Sequence, residues 1–316
     1  MTLSRALLAS SALALAVSAC GSGDDSTGAE GKVTVATTFY PLEYAASQVG
    51  GEYVDVSNLT RPGAEPHDLE LTPQQTAEVS RADQLVYLAG FQPAIDDAVK
   101  DVGDNAFDVS DAAQLDIGAP DEEAEPGDDH GHGHGHGEGH DDGGQDPHFW
   151  LDPIRYGKVA DAIAEQLAET DPDHAADYRA NAKAFTDELS DLDSELKSGL
   201  EDCTQPDLVT GHAAFAYFAD RYGFHQVSVS GVTPDAEPSP SEMADLIAYV
   251  KEKQVSTVYA ETLVPSDLAD TIARDGGAQV AVLDPIEGIT DESAGSDYFE
   301  VMRSNLATVQ EGQECT

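Results

Sequence analysis

The sequence is poor in basic residues. It has 15 Lys and Arg against 61 Asp and Glu, and its formal net charge is −46. Nucleic-acid binding needs a clustered basic surface, so nucleic acid is excluded as an expected partner. A strongly acidic surface favours solubility and attracts cations loosely. Charge alone, however, does not predict a defined metal site.

Long apolar runs are also scarce, and the clearest one lies at the N-terminus. Arg5 is followed by LLASSALALAV and then by VSAC, an order typical of a secretory signal peptide over residues 1–19. The run is too short for a membrane-spanning helix. VSAC resembles a bacterial lipoprotein box, which implies cleavage before Cys20, a lipid on it and anchoring to the membrane. An ordinary signal with an incidental Cys20 is the alternative.

Polar residues dominate directly after this segment. GSGDDSTGAEG indicates a flexible tether over residues 20–31. The sequence therefore predicts that the folded part of the protein works outside the cytoplasm, on the outer face of the cell membrane.

The chain has only three cysteines. With Cys20 assigned to lipid, Cys203 and Cys315 remain, and an oxidising compartment permits a disulfide between them. Two free buried thiols are the alternative. Zinc binding by these thiols is not expected, because neither lies in a closely spaced Cys/His pair.

Short β-rich segments alternate with helical patterns in two series. The first covers residues 32–171 and the second residues 202–316. Such alternation predicts parallel sheets covered by helices. Between the series, residues 172–201 predict one long helix, whose Leu189, Leu192, Leu196 and Leu200 form an apolar stripe. We therefore predict an α/β protein with two lobes joined by this helix.

One segment interrupts the first series. Residues 121–146 contain ten Asp or Glu and five His, and no Lys or Arg. This composition cannot bury enough apolar surface to fold, so we expect a disordered loop. Its alternating glycines fix no geometry, so its histidines would bind metal weakly, as an accessory site, and a non-binding linker is the alternative. These histidines are His130, His132, His134, His136 and His140.

Four other residues form a candidate metal site. His67, His148 and His212 are expected just after strands, and Asp284 ends the segment AQVAVLDP. Ligands of open α/β sheets bind beyond the strand carboxyl ends, so these side chains would meet in the cleft between the lobes. Three imidazoles and one carboxylate can complete a tetrahedral zinc shell. Glu65 or water competes with Asp284 for the fourth place.

Several motifs carry a family resemblance. They are TTFYPLEYAASQVGG, LTRPGAEPHDLELTPQQ, DPHFWLDP, VTGHAAFAYFADRYG, EPSPSEMADLIAYVKEKQVSTVYAE and LDP. Together they resemble the metal-binding (cluster A-I) solute-binding proteins of ATP-binding-cassette importers, over nearly all of residues 32–316. The resemblance implies two lobes joined by a rigid helix.

The same resemblance implies the ligands His67, His148, His212 and Asp284. Histidine at the third of these positions is typical of zinc proteins in the family, whereas glutamate there is typical of manganese or iron proteins. His212 therefore favours zinc, in keeping with the preference of imidazole for Zn²⁺ and of carboxylates for Mn²⁺.

The expected function is capture of Zn²⁺ and its delivery to a membrane permease, by a protein expected to be a monomer. A closed four-ligand shell suits capture, since no position stays open for a substrate. A manganese or iron protein of the same family is one alternative, and a surface adhesin is another. A zinc hydrolase, with Glu65 or Glu261 as base, is a third, although HExxH and GxSxG motifs are lacking.

Overall fold

Two four-stranded parallel sheets organise the protein. A computed structural model describes residues 31–119, 144–234 and 238–316, and the statements that follow concern those residues. The predicted signal peptide, Cys20, nearly all of the tether and the five histidines of the acidic insert lie outside the described residues.

The first sheet contains four strands in the order β2-β1-β3-β4. They are β1 (Val33–Thr37), β2 (Val54–Asn58), β3 (Gln84–Tyr87) and β4 (Ala106–Asp108). All pairings are parallel. β1 is buried along most of its length, because helices cover both faces of a parallel sheet.

The second sheet repeats this arrangement. Its strands are β5 (Asp207–Thr210), β6 (His225–Ser228), β7 (Thr257–Ala260) and β8 (Gln279–Val282), in the parallel order β6-β5-β7-β8. In each sheet the first strand of its series is central, which confirms the prediction of two similar α/β lobes.

Ten α-helices accompany the sheets in the described residues. Those of the first lobe are α1 (Tyr40–Gly50), α2 (Pro73–Val79), α3 (Pro93–Ala98), α4 (Ser110–Ala113) and α5 (Pro153–Thr170). The linking helix is α6 (Ala175–Leu200). The second lobe has α7 (Ala216–Tyr222), α8 (Pro240–Lys253), α9 (Asp267–Gly276) and α10 (Tyr298–Gly312).

The linking helix α6 has 26 residues and is therefore about 39 Å long. Its predicted apolar stripe is buried: Leu189, Leu192, Leu196 and Leu200 are at most 4% exposed. α6 packs along α5 and also contacts α1, α7 and α10, so it touches helices of both lobes.

Helix starts follow their sequence signals. A capping box starts α8, since the side chains of Ser239 and Glu242 each accept a hydrogen bond from the other's backbone amide. Strand β4 is short and ends at Asp108. The Asp108 side chain accepts hydrogen bonds from the Ser110 amide and hydroxyl, which turns the chain into α4.

The largest apolar core runs from one lobe into the other. It includes Phe39 and Trp150 from the first lobe and Phe215 and Tyr298 from the second, all at most 1% exposed. The Trp150 indole donates to the Pro285 carbonyl at 2.8 Å, and the Tyr298 hydroxyl donates to the Trp150 carbonyl at 2.7 Å. The lobes are therefore packed against each other and hydrogen-bonded.

Cys203 and Cys315 form a disulfide across 112 residues of sequence, as predicted. Backbone bonds from Thr204 and Gln205 to Gln313 continue the contact. The bond ties the segment that follows α6 to the tail that follows α10. Within the described ranges, the helices are too short or too polar to cross a membrane.

Candidate metal centre

Three imidazoles and one carboxylate converge in the cleft. One ligand atom from each of His67, His148, His212 and Glu287 lies within 4.8 Å of the others. His67 follows β2, His212 follows β5 and Glu287 follows β8, while His148 precedes α5. The two lobes supply two of these side chains each, as ligand binding beyond strand carboxyl ends predicts.

Glu287 stands at the centre of the cluster. Its Oε1 lies 3.0 Å from His148 Nε2, 3.2 Å from His67 Nε2 and 3.5 Å from His212 Nε2. The Glu287 side chain is 1% exposed, and the imidazoles are 0–6% exposed. The cluster is thus nearly closed to solvent.

Asp146 orients His148. The carboxylate Oδ1 of Asp146 accepts from the His148 backbone amide at 2.8 Å and from the His148 ring Nδ1 at 2.8 Å. With Nδ1 donating, Nε2 is left to face the cluster. The sequence placed Asp146 at the end of a disordered loop, but it is fully buried and its position is set by this contact.

Glu261 orients His212 in the same way. Its Oε1 accepts from the His212 amide at 2.9 Å, and its Oε2 accepts from His212 Nδ1. Gly211 permits the contact, because a Cβ there would lie 2.9 Å from Glu261 Oε1. The sequence offered Glu261 as a hydrolytic base, whereas the structure uses it to hold an imidazole.

Glu65 lies beside the cluster. Its Oε1 accepts from the His67 amide at 3.3 Å and is 3.9 Å from His67 Nε2. Burial and then the Glu287 charge raise the pKa of Glu65 to about 8. The structure leaves this predicted competitor for the fourth place outside the cluster of four.

Asp284 was the expected fourth ligand, and the structure places it elsewhere. Its Oδ1 accepts from the Ile286 amide at 2.8 Å, two residues along the chain. Glu287, three residues further on, lies among the imidazoles, and Asp284 is not one of the four clustered residues. The family resemblance therefore pointed to the turn that contains Glu287, but it named Asp284 as the ligand.

The remaining described histidines lie outside the cluster. His174 bonds Asp171 at 2.6 Å and stacks on Tyr53. The His225 side chain is 56% exposed and lies 3.2 Å from Asp207.

Burial and charge act in opposite directions on the clustered groups. Burial alone would raise the pKa of Glu287, but the three neighbouring imidazoles hold it well below its usual range. Burial alone would lower the pKa of His148 and of His212, but neighbouring carboxylates raise both. The pKa of His67 is lowered by burial, which outweighs the effect of Glu287.

The donor set and its spacing suit a zinc ion. Two donors that are each 2.0–2.1 Å from a tetrahedral zinc lie about 3.4 Å apart. Glu287 Oε1 lies 3.0–3.5 Å from the three imidazole nitrogens. A two-lobed α/β fold with such a buried cluster defines a metal-binding protein of the solute-binding class.

Comparison with known proteins identifies the family. Residues 35–312 match the family model described as ZnuA, zinc-uptake complex component A, periplasmic. The chain belongs to this family. The family comprises zinc-binding proteins of transport systems and not enzymes, which removes the hydrolase alternative.

Two curated relatives illustrate the extent of the match. The chain is 37% identical over 290 residues to the zinc-binding protein AdcA of Streptococcus pyogenes, covering 89% of this chain and 56% of that protein. It therefore spans little more than half the length of this relative. It is 35% identical over 304 residues to the high-affinity zinc uptake system protein ZnuA of Bacillus subtilis, covering 94% and 93%.

Solved structures show the same fold. The Zn(II)-bound ZnuA-like domain of Streptococcus pneumoniae AdcA is 31% identical, with a TM-score of 0.72 over 90% of this chain and 100% of that domain. The laminin-binding protein Lmb of Streptococcus agalactiae, described as a bifunctional adhesin and metal transporter, is 29% identical, with a TM-score of 0.74 over 89% and 99%.

Proposed function

We propose that this protein captures Zn²⁺ outside the cytoplasm and delivers it to the permease of an ATP-binding-cassette importer. The ion is cargo, held by the Nε2 atoms of His67, His148 and His212 and by the carboxylate of Glu287. The observation that carries this proposal is the convergence of these four side chains from both lobes on one buried point.

The chemistry of the donors favours zinc over manganese. Three imidazole nitrogens and one carboxylate oxygen match zinc, whereas manganese prefers more oxygen ligands. Asp146 and Glu261 fix the rings of His148 and His212 and raise their basicity, as carboxylate partners of zinc-binding histidines do. The preorganised shell thus supports tight and selective capture.

The membrane-related parts of the proposal come from the sequence. A lipid on Cys20 would tether the protein to the outer face of the membrane through residues 20–31. The protein would act there as a monomer and dock on its permease. The family assignment to zinc uptake supports the permease as partner.

The histidines of the acidic insert have an accessory role in this proposal. Their glycine-rich setting offers no fixed geometry, so binding costs ordering entropy and stays weak. They would bind zinc weakly without being needed for the tight site.

A competition titration tests the proposal. Zinc and manganese are titrated against a chromophoric chelator with the intact protein and with a variant lacking residues 128–142. One tight zinc site is expected in both proteins, with weaker extra sites only in the intact one. Loss of tight binding on deletion would place the site in the insert instead.

Single substitutions assign the ligands. Tight zinc binding should be abolished in each of the variants H67A, H148A, H212A and E287A. The control H225A should leave it unchanged, because the His225 side chain is exposed and is not one of the four clustered residues. Retained tight binding in all three histidine variants, or a preference for manganese in the intact protein, would contradict the proposal.

An adhesin role is the second candidate, favoured by the likeness to the laminin-binding protein described above. Growth under zinc limitation separates the two. A deletion strain should stop growing when zinc is scarce and recover with added zinc. Unimpaired growth combined with lost surface adhesion would favour the adhesin.

A further inference from the structure

The turn that carries Glu287 is held by Asp284. Asp284 is 3% exposed, and its Oδ1 accepts from the Ile286 amide at 2.8 Å. We propose that Asp284 is a positioning residue, which sets the direction of the Glu287 carboxylate without binding the ion itself. This inference rests on the zinc site proposed above.

The backbone of the turn needs such support. Ile286 has a φ of 59°, in the left-handed region that β-branched residues rarely adopt. It is also fully buried, so solvent does not hydrate its amide. An aspartate oxygen that accepts from the amide two residues later stabilises a turn of this kind.

Asn305 of α10 fixes Asp284 in turn. Asn305 Oδ1 accepts from the Asp284 amide at 3.0 Å, and Asn305 Nδ2 donates to the Asp284 carbonyl at 2.7 Å. Both backbone groups of Asp284 are therefore bonded to a single buried side chain. These bonds fix the backbone of Asp284, and the bond from the Ile286 amide holds its carboxylate.

A third contact joins the turn to the other lobe. Trp150, two residues after His148, donates its indole N–H to the Pro285 carbonyl at 2.8 Å. The segment from Asp284 to Glu287 is thus held by Asn305 behind it, by Trp150 across the cleft and by its own internal hydrogen bond. The internal bond is the one that selects which carboxylate reaches the imidazoles.

A matched pair of variants separates a ligand from a positioning residue. A ligand supplies charge and an electron pair to the metal. A positioning residue at Asp284 needs only an oxygen that accepts a hydrogen bond from a backbone amide. D284N keeps such an oxygen in a side chain of the same shape. D284L keeps the approximate shape but offers no acceptor.

The experiment measures zinc affinity by chelator competition and the absorption spectrum of the Co²⁺-loaded protein, which reports the coordination geometry. D284N should bind zinc within about threefold of the unaltered protein and keep its tetrahedral Co²⁺ spectrum. D284L should lose roughly 10–100-fold in affinity, as expected when a supporting contact of a metal ligand is removed, and its spectrum should weaken and shift. E287A is the reference for loss of a ligand.

Two results would overturn the inference. One is a D284N variant as impaired as E287A, with an altered Co²⁺ spectrum, because Asp284 would then act through its charge. The other is a D284L variant with unaltered affinity and spectrum. Failure of the unaltered protein to bind zinc would contradict the proposed function instead. Failure of the inference on Asp284 and failure of the proposed function are therefore distinguishable.

Thermal denaturation of the metal-free proteins shows whether each variant is folded. If D284L does not fold, D284A takes its place, since alanine also lacks the acceptor. A folded D284A variant with weakened binding supports the inference, and one with unaltered binding contradicts it.

Discussion

Arg221 of α7 in the second lobe lies against Asp152, the residue that caps α5 in the first lobe. Arg221 Nε is 3.2 Å from Asp152 Oδ1. The same nitrogen donates to Asp193 of the linking helix at 2.5 Å. Burial alone would raise the pKa of Asp193, but Arg221 and Lys197 hold it below its usual range. One guanidinium thus joins both lobes and the helix between them.

Removing this guanidinium should destabilise the protein strongly. The Asp152 and Asp193 side chains are only 8% and 9% exposed, so R221A leaves two largely buried carboxylates without it. We expect a loss of about 3 kcal/mol in the free energy of unfolding of the metal-free protein, measured by urea denaturation. R179A is the control, because the Arg179–Glu165 pair is more than half exposed on both sides and should contribute about 0–1 kcal/mol. Equal effects of the two variants would contradict the role given to Arg221.

The carboxylate behind His148 should tune zinc affinity. D146A removes the acceptor that keeps the His148 Nδ1–H in place, and so frees the ring to rotate or change tautomer. Zinc affinity should fall roughly 10–100-fold, as for other partners of metal-bound histidines. Chelator competition measures it. If D146A binds zinc as tightly as the unaltered protein while H148A does not, the role given to Asp146 is contradicted.

Zinc binding should release protons near neutral pH. The raised pKa values of His148 and His212 mean that the metal-free cluster keeps protons on these rings to higher pH than free histidine does. Zinc needs neutral imidazoles and must displace those protons. Affinity should therefore rise with pH until both rings are neutral and fall in acid.

Calorimetry in buffers with different ionisation enthalpies measures this release. A heat of binding that does not depend on the buffer would show that zinc displaces no protons, contrary to the raised pKa values. The H148A and H212A variants, loaded at higher zinc concentration, should each release fewer protons than the unaltered protein.

The disulfide should stabilise the fold substantially. Cys203 and Cys315 are 112 residues apart, and closing a loop of this size removes much entropy from the unfolded chain. The C203S/C315S double variant should lose about 4–5 kcal/mol in the free energy of unfolding. Both thiols should also resist alkylation until a reductant is added. Ready labelling of the untreated protein would disprove the bond.

The architecture was predictable because it depends on local patterns. β-rich segments alternating with helices predicted both sheets, and the leucines of α6 predicted the linking helix. His67 and His212 could be named because each follows a strand of a parallel sheet, and the carboxyl ends of such strands converge at the cleft. His148 precedes α5, and the motif DPHFWLDP with its family resemblance singled it out.

The fourth carboxylate could not be predicted in the same way. Asp284 and Glu287 are three residues apart, and only the turn between them decides which one faces the imidazoles. In that turn the backbone of Ile286 is in the left-handed region, which isoleucine rarely adopts. The turn also depends on contacts from α10 and from the other lobe. The sequence offered one signal against Asp284 as the ligand, because aspartate before proline is typical of a turn.

The contacts behind the rings were missed for a related reason. By composition, Asp146 belongs to the acidic insert. Its role is to accept hydrogen bonds from His148, and this contact depends on the burial of His148. Glu261, which directly follows β7, reaches His212 from 49 residues further along the chain, and no local sequence pattern indicates this contact.

Trp150 is the single tryptophan of the chain. Its ring lies 5.2 Å from that of His148, and its indole N–H is bonded to the turn that carries Glu287. The protein therefore contains its own fluorophore at the junction of the lobes. Its emission should report occupancy of the cleft in real time, so that arrival and departure of the ion can be followed without an attached dye.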